Sequence, residues 1–106
     1  MTAMVRYQFK GSSLSLKGHV GSAPHGQDLV CAAVTGIVYA LTAYVKELEE
    51  AGMLVCPPQI RLEPGDAKIA ALPIRSATAA LTGAFGVAEA GLKLLQEQYP
   101  EGVGEI

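Results

Sequence analysis

The feature that most constrains the fold is a stretch without charged side chains, which runs from Leu29 to Val45. Its seventeen residues include small Ala, Gly and Thr side chains that dilute its hydrophobicity, whereas a membrane-spanning helix needs about 20 apolar residues. A helix that is apolar on nearly every face must be covered by other apolar surface. We therefore expect this stretch to form a buried helix of a folded domain, with no membrane partner.

Length and composition favour one domain that comprises residues 1–106. Half of the residues are hydrophobic and 17% are charged, a balance that excludes a disordered chain. Eight basic and ten acidic residues give a net charge of -2, without the basic surface that direct nucleic-acid binding requires. Arg6 and Lys10 interrupt the apolar core that a signal peptide would need, so we expect a cytoplasmic protein.

The two cysteines, Cys31 and Cys56, are 25 positions apart. This spacing is typical neither of a secreted disulfide framework nor of a zinc site built on paired CxxC motifs. A metal site that combined them with His19 and His25 would lack a short ligand pair such as HxxxH to preorganise it. We therefore expect free thiols in a reducing compartment, with neither a metal ion nor an organic cofactor.

The order of secondary-structure elements follows from two kinds of periodicity. Alternation of apolar and polar residues indicates strands, longer apolar runs indicate helices, and clusters of Gly, Pro and Ser separate them. The resulting elements are strands at 4–9 and 14–20, a helix from Asp28 to about Glu50 capped by Gly52, strands at 59–63 and 68–74, and a helix at 76–95. This order predicts an α+β fold, a two-layer ββαββα domain with one mainly antiparallel sheet packed by two long helices.

Both predicted helices are rich in small residues, and the second contains Gly83, Gly86 and Gly91. An interior glycine costs a helix about 1 kcal/mol relative to alanine, so three of them require a packing reason. One explanation is close approach of the two helices within the monomer. The other is a homodimer, because a single sheet does not cover a helix that is apolar on nearly every face.

Residues 18–35 contain the densest cluster of reactive side chains. With Asp28 as the N-cap, Cys31 occupies the third helical position, where free backbone N–H groups and the helix dipole favour a thiolate. His19 closes the second predicted strand, and the following loop is long enough to bring its imidazole to the sulfur. Asp28 would cap the helix and orient the imidazole, and Thr35 lies one turn beyond Cys31. The alternative is that Cys31 is a small buried apolar residue.

The loop at residues 20–27 joins the strand carrying His19 to the helix carrying the cysteine. We expect this loop, which includes Val20, to border the substrate cleft, with Gly21 and Gly26 as hinges. His25, between a proline and a glycine in mid-loop, is expected to be solvated rather than to serve as the base.

The sequence also contains a recognisable motif: Gly-His at 18–19, a short glycine-bearing loop, and GQDLVCAAVT at 26–35. This pattern, written G-x-D-(I/L)-V-C-A-A-V-(S/T), resembles the ribosomal-processing cysteine proteases, the Prp family. The resemblance implies a small cytoplasmic α/β homodimer of bacteria. It also implies an endopeptidase that removes the N-terminal extension of the large-subunit ribosomal protein L-twenty-seven.

By the same resemblance, His19 and Cys31 are the catalytic pair, with Asp28 beside them. Two positions depart from the family pattern: Val20 stands where alanine is usual, and Thr35 where serine is usual. Both differences are small and change the width of the pocket rather than the proton transfers.

Two classes of function therefore compete. The first is a cysteine endopeptidase, in which the Cys31 thiolate attacks a scissile carbonyl and helix N-terminal amides receive the oxyanion. The second is a non-catalytic ribosome-associated or RNA-binding module, in which the GHVG segment at residues 18–21 clamps a nucleic-acid backbone.

Overall fold

The computed structural model describes residues 5–18 and 25–106, and the side chains of all of these except 25–28. The predicted α+β architecture is confirmed: two long helices pack on one face of a mainly antiparallel sheet. The elements are β1 (Val5–Phe9), β2 (Ser13–Lys17), α1 (His25–Glu50), β3 (Gln59–Glu63), β4 (Asp66–Ala70), a short 3-10 helix (Arg75–Ala77), α2 (Thr78–Gln98) and β5 (Val103–Glu105).

The sheet has the strand order β3-β4-β2-β1-β5. The two predicted hairpins join through antiparallel pairing of β2 with β4, in which Leu16 lies opposite Ala67. β5 pairs in parallel with β1 and was not predicted, because three residues are too short to show a period of two. It still belongs to the core, since Val103 is fully buried.

The core lies between the sheet and the helices. Alternating strand residues point to the helices and are buried, whereas Arg6 and Lys17 on the opposite face of the sheet are exposed. One face of α1 packs into the core through residues at helical spacing, namely Val30, Val34, Val38, Leu41, Val45 and Leu48. By length and composition alone, α1 is also apolar enough to cross a membrane, but a buried core helix has the same composition.

The start of α1 differs from the prediction. The helix begins at His25, so Asp28 lies inside its first turn and is not the N-cap. Two start signals compete in this sequence, because a proline is favoured at the beginning of a helix and an acidic residue is favoured anywhere in the first turn. Pro24 immediately precedes the helix, and Asp28 follows in the first turn. The predicted loop at 20–27 is therefore shorter, since residues 25–27 are helical.

The other end of α1 is as predicted. The N–H of Met53 donates to the carbonyl of Leu48 at 2.9 Å, and the N–H of Gly52 donates to the carbonyl of Glu49 at 3.0 Å. These two bonds form a Schellman motif, which requires a left-handed residue after the helix. Gly52 supplies it with a φ of 73°.

Close packing of the two helices within one chain is also confirmed at one glycine. A Cβ atom at Gly91 of α2 would lie 3.0 Å from Cδ1 of Ile37 on α1. At Gly83 and Gly86 a Cβ atom would meet nothing within 4 Å. Only one of the three glycines is therefore explained by helix packing inside the chain.

The segment after β4 also departs from the prediction. β4 ends at Ala70 rather than continuing to residue 74, because Pro73 lacks the N–H that a strand needs. Pro73 instead forms an isolated bridge with Leu54. α2 begins at Thr78, two residues after the predicted start at Ser76, which lies in the preceding 3-10 helix.

Candidate active site

Cys31 lines a cleft of about 390 Å³ between the first half of α1 and one end of the sheet. At this end β2 finishes at Lys17 and β3 turns into β4 through Pro64 and Gly65. The lining is mostly apolar and comprises Val5, Leu16, Gly18, Cys31, Val34, Thr35, Val38, Tyr39, Leu62, Glu63, Pro64, Gly65, Asp66 and Ala67. The cleft is therefore suited to an apolar segment of a ligand.

A backbone hydrogen bond joins the two parts of the sheet that line the cleft. The N–H of Gly18, just beyond β2, donates to the carbonyl of Gly65 in the β3–β4 turn at 2.9 Å. Both glycines have positive φ values, 88° and 78°, which side chains with a Cβ rarely adopt. The chain therefore leaves β2 in a fixed direction immediately before His19.

An ionic cluster reinforces the same junction. Nη2 of Arg61 donates to Oδ1 of Asp66 at 3.2 Å, and Nζ of Lys17 donates to the same oxygen at 3.1 Å. Nε of Arg61 lies 3.1 Å from Oδ2 as an ion-pair contact that lacks hydrogen-bond geometry. Hydrogen bonding from Arg61, and then from Lys17, lowers the pKa of Asp66 below its usual value. Asp66 is therefore an anion whose charge is largely balanced by its two neighbours.

On the helix side, α1 presents three cleft residues at intervals of four: Cys31, Thr35 and Tyr39. This spacing places them on one face of the helix. Cys31 is half-buried and contacts the edge of the core, whereas Tyr39 is 60% exposed. The cysteine is thus accessible from the cleft but held by packing.

The structure brings together only some of the predicted site residues. Cys31 and Thr35 line the same cleft, and so does Gly18, which directly precedes His19 in the chain. The predictions for His19, Val20 and Gly21 lie outside the described residues. For Gly26 and Asp28, the described backbone is helical.

The earlier helix start changes the predicted role of the helix end. Cys31 is the seventh residue of α1 rather than the third. Its backbone N–H lies beyond the first four of the helix, the only ones without a partner inside it. The helix dipole also acts mainly within the first turn. Free helix N-terminal amides therefore occur one turn before Cys31 and are not those of the cysteine itself.

The second cysteine does not line the cleft. Cys56 is exposed, and the structure contains both cysteines as free thiols. Among residues 5–18 and 29–106, whose side chains the structure describes, no three His, Cys, Asp or Glu side chains lie together in a way that would hold a metal ion.

One wall of the cleft, which consists of Leu62 to Ala67, was not predicted to border the site. The Pro64–Gly65 turn was recognised as a hairpin, but its partner strand β2 follows only from long-range pairing. Tyr39 was also missed, although its spacing from Cys31 and Thr35 is a helical signal that was available in the sequence.

Comparisons with known proteins show the family of this chain and structures of similar fold. A family model described as "Cysteine protease Prp" matches residues 1–104. The crystal structure of SMU.848 from Streptococcus mutans is similar with a TM-score of 0.70 and 28% identity, covering 97% of this chain and 92% of that one. A comparison with curated protein sequences finds no match.

Two further similar structures are of an essential ribosomal processing protease Prp from S. aureus. The one in complex with a substrate peptide has a TM-score of 0.68 and 15% identity, and covers 96% of this chain and 95% of that one. The one with a covalently linked product peptide has a TM-score of 0.65 and 17% identity, and covers 95% of this chain and 94% of that one. At these identities, the likeness concerns the fold.

Proposed function

Because this chain belongs to the cysteine protease Prp family and is therefore a cysteine protease, we propose that Cys31 is its nucleophile and His19 its general acid and base. The observation that carries this proposal is the position of Cys31, which lines an apolar cleft while Cys56 is exposed outside it. Gly18, one residue before His19, lines the same cleft. His19 therefore follows directly, in the sequence, after a residue of the cleft.

The reaction proceeds in two stages. The Cys31 thiolate forms a bond to the scissile carbonyl carbon, and the resulting tetrahedral intermediate collapses to a thioester as the C–N bond breaks. His19 gives its proton to the leaving amine. It then takes a proton from water, whose oxygen attacks the thioester, and the C–S bond breaks to release the acid product and restore the thiolate beside the protonated histidine.

The other predicted site residues support this pair. Asp28, in the first turn of α1, orients the imidazole as an acceptor. Val20, Gly21 and Gly26 belong to the segment and helix start that border the bound peptide. Thr35 lines the cleft one turn beyond the cysteine, and we propose that it contacts the same ligand.

The proposed substrate is the N-terminal extension of the large-subunit ribosomal protein L-twenty-seven. Support comes from family membership and from the S. aureus protease of the same fold, which binds a substrate peptide and forms a covalently linked product peptide. The apolar lining of the cleft suits an apolar leader sequence. No cofactor takes part in this mechanism, and we propose that it takes place in the cytoplasm.

The test is to incubate the protein with a peptide spanning that extension and to identify the products by mass spectrometry. Cys31→Ala should abolish cleavage without unfolding the chain, because alanine is a good helix former. Cys56→Ala is the matched control and should cleave at the normal rate. Retained cleavage by a pure Cys31→Ala preparation would refute the assignment of the nucleophile.

The assignment of the base is tested with the two histidines. His19→Ala should remove activity, whereas His25→Ala should reduce it far less, because only His19 adjoins the fixed junction at Gly18. Equal losses in the two variants would show that the wrong histidine has been chosen.

We further propose that the protein is a homodimer that packs through a second groove. This groove, of about 490 Å³, lies between α1 and α2 and is lined by Ile37, Ala40, Leu41, Tyr44, Ala80, Gly83, Ala84, Val87, Ala88 and Gly91. Val87 is 75% exposed and Tyr44 36% in the single chain. A second copy would cover this apolar surface and would explain why Gly83 has open space above it.

The dimer is tested by sedimentation over a range of concentrations. Val87→Lys places a charge in the groove and should shift the protein to monomers. Leu94→Lys introduces the same charge at a residue of α2 that is 54% exposed and does not line the groove, so its oligomeric state should stay as in the wild type. A monomeric wild type, or equal effects of the two substitutions, would contradict the proposal.

A further inference from the structure

The cleft extends well beyond the cysteine along α1. Cys31, Thr35 and Tyr39 line it at successive turns. Because an α-helix rises 1.5 Å per residue, Tyr39 lies about 12 Å along the helix axis from Cys31. The cleft is therefore longer than one side-chain pocket and accommodates several residues of an extended peptide.

Two large apolar residues of this cleft are exposed to solvent in the single chain. Tyr39 is 60% exposed and Leu62 is 41% exposed, on opposite walls. Val38, the residue before Tyr39 on α1, is 5% exposed, so at this point the helix buries its core side while Tyr39 stays exposed on the side that lines the cleft. Large apolar side chains that stay in water at one cleft indicate a surface that an apolar ligand covers.

We propose that Tyr39 is a specificity-determining residue that contacts a large aliphatic or aromatic side chain of the substrate three or four residues from the scissile bond. This inference rests on the proposed function, in which the scissile carbonyl lies at Sγ of Cys31. An extended peptide advances about 3.3 Å per residue, so 12 Å corresponds to roughly three to four residues. Leu62 completes the contact from the β3–β4 hairpin.

The charges at the rim add a second element of specificity. Glu63 and Asp66 both line the cleft, and among the described residues it is Asp66, not Glu63, that pairs with cations. An acidic substrate side chain at this position would lose its hydration in an apolar cleft and would face the carboxylate of Glu63. Glutamate should therefore be accepted less well there than alanine.

The experiment compares Tyr39→Ala with Tyr39→Phe and with Tyr99→Ala. Tyr99 is a matched control because it is 43% exposed and does not line the cleft. The substrates are the ribosomal-protein peptide above and a series in which alanine replaces each residue up to six positions from the cut. Turnover is measured with otherwise unmodified protein, and binding with the same variants in the Cys31→Ala background.

For the wild type, one alanine substitution three or four residues from the cut should lower kcat/KM by roughly ten- to a hundredfold, as expected for loss of one buried apolar side chain. Tyr39→Ala should lower kcat/KM for the parent peptide by a similar factor. In this variant, the alanine substitution in the peptide should cause no further loss. Tyr39→Phe and Tyr99→Ala should behave as the wild type. The rate of Cys31 alkylation by a small reagent should be the same in all four proteins.

The two measurements separate this proposal from the proposed function. Turnover that does not depend on Tyr39, or that falls equally for every peptide in the series, overturns the specificity contact and leaves the protease mechanism in place. Absence of turnover together with Tyr39-dependent binding overturns the choice of catalytic residues and supports the contact. Absence of both turnover and binding overturns both.

Discussion

Tyr7 connects three elements that are distant in sequence, and its removal tests how the C-terminal strand is held. The residue lies on β1 and is 2% exposed. Its hydroxyl donates to Oε1 of Gln96 on α2 at 2.7 Å, and Oε1 of Glu105 on β5 lies 3.4 Å away. Burial, and then the negative charge of Glu105, raises the pKa of Tyr7 to about 12. We therefore expect Tyr7→Phe to change both the stability and its dependence on pH.

The magnitude follows from the two protonation states. An unfolded tyrosine ionises near pH 10.0 and the folded Tyr7 near 12. Between these values the folded state holds a proton that the unfolded state has lost, so the free energy of unfolding decreases as the pH rises. Two pKa units correspond to at most about 2.7 kcal/mol. The hydroxyl borders a polar surface pocket that also contains Lys93, so solvent screening reduces the expected loss to about 1–2 kcal/mol.

The assay is urea unfolding of the wild type, Tyr7→Phe and Tyr99→Phe from neutral pH to about pH 12. At neutral pH Tyr7→Phe should be less stable by about 1 kcal/mol, because one part-buried hydrogen bond is lost. Above pH 10 the wild type should lose stability faster than Tyr7→Phe, so that the difference shrinks or changes sign. Lysine deprotonation affects all three proteins alike. Parallel curves for the wild type and Tyr7→Phe would refute the reasoning.

Two further predictions concern packing and charge. Gly86→Ala should raise the free energy of unfolding by about 0.5–1 kcal/mol because its Cβ meets open space. Gly91→Ala should raise it less, because its Cβ lies 3.0 Å from Ile37. Equal increases in stability, measured by thermal unfolding, would contradict the helix contact. Asp66→Asn should have a lower melting temperature than the wild type at neutral pH. Because Arg61 lowers the pKa of Asp66, the difference in melting temperature should persist above about pH 4 and disappear as the pH falls further. A difference that grows towards acid pH would be the wrong sign.

The element order was predictable because its signals are local. Period-two alternation, the hairpin turn at residues 64–65 and the end of α1 at Gly52 each depend on a few neighbouring residues. Capping of α1 at its start depends on local signals too, but here two of them conflict. The structure begins the helix at His25, after Pro24, and leaves Asp28 in the first turn. A local rule that selects one cap residue therefore misplaced Cys31 by one turn.

The cleft was not predictable to the same degree because it depends on pairing between strands that are far apart in the chain. Cys31 and Thr35 were found from their residue types and spacing. The opposite wall, from Leu62 to Ala67, faces them because β4 pairs with β2 over a separation of about fifty residues. No periodicity within β3 or β4 indicates which strand they pair with.

The stretch from Leu29 to Val45 contains no charged residue because three different faces of α1 contribute to apolar surfaces. Val30, Val34 and Val38 are buried in the core, while Cys31, Thr35 and Tyr39 line the cleft. A third face, with Ile37, Ala40, Leu41 and Tyr44, lines the groove beside α2. A charged side chain on the core face would lose hydration without gaining a partner, and one on either of the other two faces would do so when the proposed substrate or second copy covers it. The packing requirements of a folded protease domain therefore account for a sequence that, by length and composition alone, also resembles a membrane span.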